Sequence, residues 1–448
     1  MNFSKFFKEN IINKSILILI VGYFLIELFY FSNPLGSFNN FSNKIQVADY
    51  LFVLIALVFF IKFFINKNKR DYFNLDIYEL MPVLFLLCCI LTSLFFIGDL
   101  PIGQLLKYFY LVSIFYVVRN IAIEPNNFKK IISYMFNILI IYLFILFLSY
   151  IHAVIIKSPN FFVLYYDNFP YINELYRLKG GYSPTSKLLA FHLFLSSIFI
   201  LLFKDYLLND NKKFFLLLLI FILSFLTFSR AGFIVCLLSI YIFLRFIKSK
   251  YLIFCFIPIM LLSTISLEIF SLVFLETNNI NYLCEQTFQP KEINQRFGWF
   301  GQESQCNLNL DLNIYQDGYL ILKLVGINAG FDSFLFGNGL GSYPQIWTNA
   351  ATNNLIPTYF LQYVYPLAQS TPVTLFAENG IIGLLIFMTF IFGSIARHTS
   401  VFRNLDTFIF SFSLFFVILN LDIQNFRFLY FYLGIFYAYH YLNKRELI

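Results

Sequence analysis

Apolar residues run in long blocks along this chain, and polar residues gather between the blocks. A helix needs about 20 apolar residues to cross the hydrocarbon core of a bilayer. Runs of that kind fall near 11–31, 47–65, 77–97, 102–118, 131–156, 184–203, 213–228, 231–247, 251–275, 373–396, 405–421 and 427–442. The pattern predicts about twelve transmembrane helices, with only Ser229 and Arg230 dividing the two that lie within 213–247. Two intervening segments are long, 157–183 and 276–372. The expected fold is therefore an all-α polytopic membrane protein. Residues 1–275 carry helices one to nine with the shorter loop near 157–183, residues 276–372 form a large loop, and residues 373–448 carry helices ten to twelve. The large loop holds Gly, Asn, Gln and Tyr rather than a charge run, so it is expected to fold as a small cap rather than a disordered tail. No internal repeat is visible. Neither repeated halves nor the matching broken helices of secondary transporters are evident.

The basic residues orient the array. With both termini inside, the inner segments hold 20 of the 31 Lys and Arg, the outer segments hold 10, and Lys107 lies within a helix. That distribution obeys the positive-inside rule and places the two long loops outside. Hydrophobic residues make up 59% of the 448-residue chain and charged residues 12%, far below the roughly 25% of a soluble domain. The net charge of +7 belongs to inner loops rather than to a nucleic-acid site, because no basic patch is dense enough. The opening MNFSKFFKENIINK is basic, but a run long enough to span follows it without a small-residue cleavage site. It is read as leading into a first transmembrane helix.

Cys88, Cys89, Cys236 and Cys255 fall in apolar runs and read as small buried residues. Cys284 and Cys306 share the large outer loop, either as a disulfide in an oxidising compartment or as two free thiols. No Cys/His spacing fits a zinc site. No Walker, kinase or Ser–His–Asp signature stands out.

Charged groups in or at the mouth of a bilayer mark function by default. On the outer side these are Arg177, Lys179 and Lys187 in RLKGGYSPTSK, Arg230 in TFSRAGF, Arg296 in NQRFGWFG, Glu378, and Arg427. Cations outnumber anions there, and most are Arg, whose planar fork suits phosphate. A lipid diphosphate at the outer surface is the expected ligand. The competing reading is that each cation snorkels to the headgroups. It applies least to Arg230, which sits in a two-residue break between apolar runs. In RLKGGYSPTSK, Gly180 and Gly181 allow close backbone approach. Ser183 and Pro184 suit a helix start, whose free N–H groups attract anions. GNGLGSY, 337–343, reads as a tight turn beneath the cap. Glu27, Lys107 and Glu268 lie in or near spans, where Lys107 and a carboxylate have room to pair. His192 either lines a cavity or is a satisfied bundle histidine. Asp317 and Asp332 read as ordinary loop carboxylates.

Taken in order, R-x-x-G-G-Y-S-P at 177–184, S-R-A-G at 229–232, Q-R-F-G-W at 295–299, F-G-N-G-L-G-S-Y at 336–343 and A-E-N-G-I-I-G at 377–383 resemble the O-antigen polymerase and ligase superfamily. Members are polytopic inner-membrane glycosyltransferases with a large periplasmic loop between late helices. The resemblance implies transfer of a glycan from undecaprenyl diphosphate on the periplasmic face, with membrane lipid around the site and no metal or other cofactor. Arg177, Arg230 and Arg296, with Lys187, would hold the diphosphate, and Arg230 and Arg296 would neutralise it as it leaves. The resemblance also implies a chain-length-determining co-polymerase as partner. Ligases resemble H-N just before the helix that carries E-x-G-x-x-G. Here Gln369 and Ser370 stand at those positions, and no histidine lies in the large loop. The departure favours a Wzy-type polymerase over transfer to lipid A core. A non-enzymatic flippase for lipid-linked sugars is the remaining alternative.

Glu378 is the nearest carboxylate to accept the acceptor's proton. It lies about six residues past Pro372, or roughly 9 Å along a helix axis, near the outer interface. It reads either as that general base or as a structural partner of Arg230 or Arg296.

Overall fold

The computed structural model describes residues 3–29, 47–65, 70–96, 101–169, 172–179, 186–206, 210–248, 250–277, 318–353, 368–397 and 404–447. The predicted Arg296, Cys284 and Cys306, the Gly180–Pro184 stretch and Asp317 lie outside them, as does the side chain of Glu268.

Helices dominate. In chain order they are α1 (Phe3–Phe29), α2 (Val47–Ile65), α3 (Arg70–Phe73), α4 (Ile77–Phe96), α5 (Ile102–Ala122), α6 (Pro125–Ile156), α7 (Ser186–Leu202), α8 (Asp210–Phe225), α9 (Arg230–Ile247), α10 (Lys250–Thr277), α11 (Gly318–Asp332), α12 (Tyr343–Thr352), α13 (Thr371–Ala396), α14 (Asn404–Ile418) and α15 (Arg427–Lys444). A helix occupies each predicted apolar run. Among the described residues, seven helices are long and apolar enough to cross a membrane by length and composition: α1, α2, α4, α5, α6, α9 and α13. Apolar side chains cover the outside of the bundle. On α2 alone, Val53, Leu54, Leu57, Phe60, Ile61 and Phe64 are exposed. Water would not tolerate such a face, and lipid does. The chain is membrane-embedded.

The mostly helical structure agrees with the expected all-α polytopic class, to which one small sheet is added. The segment near 157–183 contains an antiparallel ribbon, β1 (Val163–Phe169) paired with β2 (Ile172–Leu178), in which Leu164 faces Arg177. Of the ribbon's described side chains, Val163, Leu175, Tyr176 and Leu178 are buried against the bundle, and Leu164, Tyr165 and Arg177 are half-buried. An isolated two-stranded ribbon is marginal. This one is anchored, because the Leu178 N–H donates to the Leu226 carbonyl beside the α8–α9 corner at 3.0 Å.

The core is aromatic. Phe115 of α5 meets Phe390 of α13 and Tyr437 of α15 edge to face at 5.1 and 5.4 Å. Such pairs add about 0.5–1.5 kcal/mol each beyond burial. Cys88, Cys89 and Cys236 are buried as expected, but Cys255 is exposed on α10, whose apolar residues Leu252 and Phe254 point outward with it. The small cysteine there belongs to the lipid-facing side.

Charges at one end of the bundle are paired. Arg119, fully buried at the end of α5, donates from Nε to Glu79 at the start of α4 at 2.8 Å. Lys62 meets Glu124, Arg397 meets Asp76, and Arg245 meets Asp406. Each pair joins the end of one helix to the start of another, which offsets the desolvation of both charges. At the other end lie the ribbon, the α8–α9 corner, α11 and α12, the start of α13 and the α14–α15 loop.

Candidate polar site at a broken helix

The centre of that end is a break in α13. Gly380 has φ 64° and ψ −169°, so the helix stops after Asn379 and resumes at Ile381. A helix interrupted within an apolar environment strands carbonyls on one side and N–H groups on the other, each costing several kcal/mol if left bare. The turn at 333–342 satisfies both sets. Phe334 and Leu335 give their carbonyls to the N–H groups of Ile381 (2.9 Å) and Ile382 (3.4 Å). Asn338 and Gly339 donate their N–H groups to the carbonyls of Ala377 (2.9 Å) and Glu378 (2.8 Å). The Asn338 side chain adds a second bond to the Ala377 carbonyl at 3.0 Å. This corrects two expectations. GNGLGSY is the inserted partner of a broken helix and not only a turn beneath the cap. The chain does have a broken helix, which the apolar run over 373–396 concealed.

The break turns Glu378 and Asn379 to different neighbours. Asn379, fully buried, donates from Nδ2 toward Cys89 Sγ and Thr92 Oγ1 of α4, both at 3.4 Å. Glu378 is 6% exposed. Its carboxylate accepts the backbone N–H groups of Gly341 and of Tyr343, the latter at 3.4 Å. The proposed pairing of Glu378 with Arg230 is not made. Backbone N–H groups take that role, together with the nearby charge of Lys107 on α5.

A second carboxylate, Asp422 in the α14–α15 loop, acts electrostatically on Glu378 and Tyr343. Its Oδ1 accepts from Thr374 Oγ1 at 2.6 Å, and it also receives bonds from the Gln424 side chain and the N–H groups of Gln369 and Ser370. Burial pushes the Asp422 carboxyl upward against the pull of those bonds. Burial likewise raises the Tyr343 phenol well above its ordinary range, with the Asp422 and Glu378 charges adding to it. It is a neutral donor to the Leu322 carbonyl. Lys187, at the start of α7, donates to Gln369 Oε1 at 3.2 Å, and Gln369 adopts φ 51°. One polar line thus runs from Lys187, bonded to Gln369, to Asp422, which the Gln369 N–H faces, and on to Glu378, on which the charges of Asp422 and Lys107 act without direct contact. Beside it, the buried atoms Ser342 Oγ, Ser370 Oγ, Asn379 Oδ1 and Asp422 Oδ2 have no hydrogen-bond partner among the described residues. Each retains capacity for a polar ligand.

A second cluster lies at the α8–α9 corner. Arg177 Nε donates to the Thr227 carbonyl at 2.8 Å, three residues before Arg230. Phe228 takes φ 43° to turn the chain, and Ser229 caps α9 by accepting the Gly232 N–H at 3.0 Å. Arg230 opens α9 and is partly exposed. The structure therefore brings Arg177 to the Arg230 corner, and Lys187 to the Glu378 line. Arg427 differs from the other candidates. Glu27 and Asp49 flank it at 3.7 and 2.9 Å, and its guanidinium lies 5.7 Å from the Tyr110 ring centre. Glu27 thus pairs with Arg427 and not with Lys107. His192 is buried among the rings of Tyr142, Phe428 and Tyr432, and neither ring nitrogen has a hydrogen-bond partner among the described residues, which does not match a satisfied bundle histidine there.

Sequence reading missed Asp422, Tyr343, Asn379 and the break itself. Their one visible signal was polar residues standing within otherwise apolar or Gly-rich stretches. Among the described residues no group of His, Cys, Asp and Glu side chains could hold a metal ion. No protein-family model matches the chain, and no curated protein does.

Proposed function

We propose that this chain is a periplasmic-face glycosyltransferase of the bacterial inner membrane, of the Wzy O-antigen polymerase type. In this reading it crosses the membrane about twelve times with both termini in the cytoplasm. It joins oligosaccharide repeats carried on undecaprenyl diphosphate. One observation carries the reading: Glu378, expected from the sequence as proton acceptor, and Lys187, expected as diphosphate ligand, belong to one polar line at the break in α13.

The chemistry follows from those groups. A sugar hydroxyl of one repeat attacks the anomeric carbon of the other. The new O–C bond forms as the bond from the anomeric carbon to the diphosphate oxygen breaks. The diphosphate leaves with the electron pair, and the hydroxyl proton passes to Glu378. Fixed cations stabilise the charge that develops on the leaving group. Lys187 serves from the polar line, Arg177 and Arg230 from the neighbouring corner, and Arg296 from the large loop. A chain-length-determining co-polymerase is the partner this reading carries with it. Gln369 supports a polymerase over a ligase, because the position that resembles the ligase histidine holds an amide engaged by Lys187.

The broken helix favours a second reading, a flippase for lipid-linked sugars, since transporters bind substrates at such breaks. The test is elongation. Purified protein in detergent, given undecaprenyl-diphosphate-linked repeats and no membrane gradient, is expected to yield a ladder of longer glycans. A deletion strain is expected to make single-repeat O-antigen on a normal core. Elongation without a gradient sinks the flippase. No elongation, with lipid-linked polymer accumulating in the deletion strain, sinks the polymerase in favour of a ligase.

A further inference from the structure

Asp422 differs from most carboxylates that the bundle holds. Glu79, Glu124, Asp76, Asp406, Glu27 and Asp49 each meet a cation. Asp422 is 8% exposed and has no ion pair among the described residues. The loop that carries it is held fast. Thr371 donates from its N–H and its Oγ1 to the Leu421 carbonyl at 3.1 and 2.7 Å. The Ile423 N–H donates back to Thr371 Oγ1 at 2.8 Å. This staple sets Asp422 against the start of α13, where its Oδ1 accepts from Thr374. Thr374 precedes Glu378 by four residues, about one turn along the same face of the helix. The two carboxylates therefore face one place.

The unspent polar atoms around them share one character. Gln424 turns its amide nitrogen to Asp422, which leaves its Oε1 without a partner among the described residues. Ser370 holds the N-cap position of α13, yet its hydroxyl caps nothing. With Asp422 Oδ2, and with Ser342 Oγ and Asn379 Oδ1 beside Glu378, these make five bare buried atoms. Asp422 Oδ2, Gln424 Oε1 and Asn379 Oδ1 can only accept hydrogen bonds, and the two serine hydroxyls can do either. Leaving such an atom unsatisfied costs about 1–3 kcal/mol, so the set marks a place that a ligand completes. That ligand must donate hydrogen bonds and bring no negative charge. Sugar hydroxyls do so. A sugar carboxylate donates nothing and would meet Asp422 and Glu378 as a like charge. Lys187 is bonded to Gln369, and Lys107 acts on Glu378 from a distance, so neither shields Asp422.

We propose that Asp422, with Ser370 beside it, selects the acceptor sugar: it accepts a second hydroxyl of that sugar, next to the one whose proton goes to Glu378, and it excludes uronic and other acidic sugars from the position. The inference rests on the glycosyltransferase reading for the sugar's role as acceptor, but binding of a hydroxyl-rich, non-acidic sugar does not depend on the transfer.

The experiment uses the full chain in phosphatidylcholine nanodiscs, with binding followed by saturation-transfer NMR. The probes are the methyl glycosides of glucose, galactose, mannose and N-acetylglucosamine, and the methyl glycosides of glucuronate, galacturonate and mannuronate. At least one neutral glycoside is expected to bind, and the uronates to bind about tenfold more weakly or not at all. In Asp422→Asn the neutral glycoside is expected to bind about tenfold more weakly, and its advantage over the uronates to shrink to less than about threefold. Ser370→Ala removes a hydroxyl that bonds nothing among the described residues. It is expected to weaken sugar binding about threefold at an unchanged melting temperature, a loss that a purely structural serine would not show. Where Asp422→Asn fails to fold, Ser370→Ala and the wild-type comparison with uronates decide in its place. Neutral glycosides that do not bind, uronates that bind as well, or Asp422→Asn binding like wild type overturn the inference and leave the bare atoms to water alone. Sugar binding without elongation of lipid-linked repeats keeps the site and removes the polymerase. Elongation that proceeds equally well on an acceptor ending in a uronate overturns the inference and keeps the polymerase.

Discussion

Gly337 and Gly380 cross backbone to backbone. A Cβ built on Gly337 would lie 2.4 Å from the Gly380 nitrogen, and one on Gly380 would lie 2.4 Å from the Leu335 carbonyl. Both residues have positive φ, 70° and 64°. This contact lets the 333–342 turn enter the α13 break and trade four backbone hydrogen bonds with it. The carboxylate of Glu378 owes its place to that exchange, since its N–H partners belong to the same inserted turn.

The crossing predicts a sharp position dependence for alanine. Gly337→Ala and Gly380→Ala each combine a left-handed conformation with a clash against backbone that has no room to yield. Each is expected to abolish elongation and to lower the melting temperature in detergent by several degrees. Gly103→Ala in α5 is the control, because nothing lies within 4 Å of its added Cβ. It is expected to be neutral or stabilising by up to about 1 kcal/mol. Equal melting temperatures for all three variants would discard the backbone exchange.

Glu378 offers a way to separate chemistry from fold. In Glu378→Gln the amide oxygen can still accept the N–H groups of Gly341 and Tyr343, so folding is expected to survive. A glutamine does not take the acceptor's proton, so elongation is expected to fall about 10²–10⁴-fold. Glu378→Ala removes both functions and is expected to lose stability as well. Rate and melting temperature measured together decide the matter: Glu378→Gln at wild-type rate would reduce Glu378 to a brace for the turn.

Arg427 is expected to behave as structure rather than as a ligand. It stands between Glu27 of α1 and Asp49 of α2, and it opens α15. Removing it leaves two poorly solvated carboxylates without their counter-charge. Arg427→Ala is expected to destabilise the protein by about 3–5 kcal/mol, the range for breaking a buried pair from one side. Arg427→Ala combined with Glu27→Gln and Asp49→Asn is expected to recover part of that loss. Denaturation of the purified variants checks both, and no recovery in the triple variant would show that Arg427 acts elsewhere.

Most of the helical array was legible because the bilayer imposes it. A run such as 47–65 has little choice but to be a helix of spanning length, and α2 occupies those residues. The candidate site was legible residue by residue, not as an assembly. Lys187 and Gln369 each stood out, but their contact joins positions 182 residues apart. The Gly380 break was invisible because A-E-N-G lies in the second and third turns of what reads as one continuous apolar helix. Its stabilising partner is backbone from 334–339, and backbone pairing leaves no trace in side-chain patterning. Asp422 was passed over as a lone carboxylate in LNLDIQNF. Only the fold sets it against Thr374 and the N–H groups that open α13. The ribbon was missed because its strands, VLYYDNF and INELYRL, lack the strict apolar–polar alternation that marks a strand in sequence.

Asp76 supplies a pH signature at the opposite end of the bundle. Partial burial pushes its carboxyl up, but the hydrogen bond and charge of Arg397 and the N–H groups of Tyr78 and Ile77 hold it below the ordinary carboxylate range. The folded state thus binds this proton more weakly than the unfolded state does. The stabilisation is fully present above the unfolded value of about 3.9, and it is lost as pH falls through the lower folded value. Melting curves of wild type and Asp76→Asn are expected to be well separated at pH 7. They are expected to converge as pH drops below about 4, where Asp76 itself becomes neutral. A gap between the two proteins that stays constant from pH 7 to pH 3 would show that the Arg397 contact does not act through the charge of Asp76.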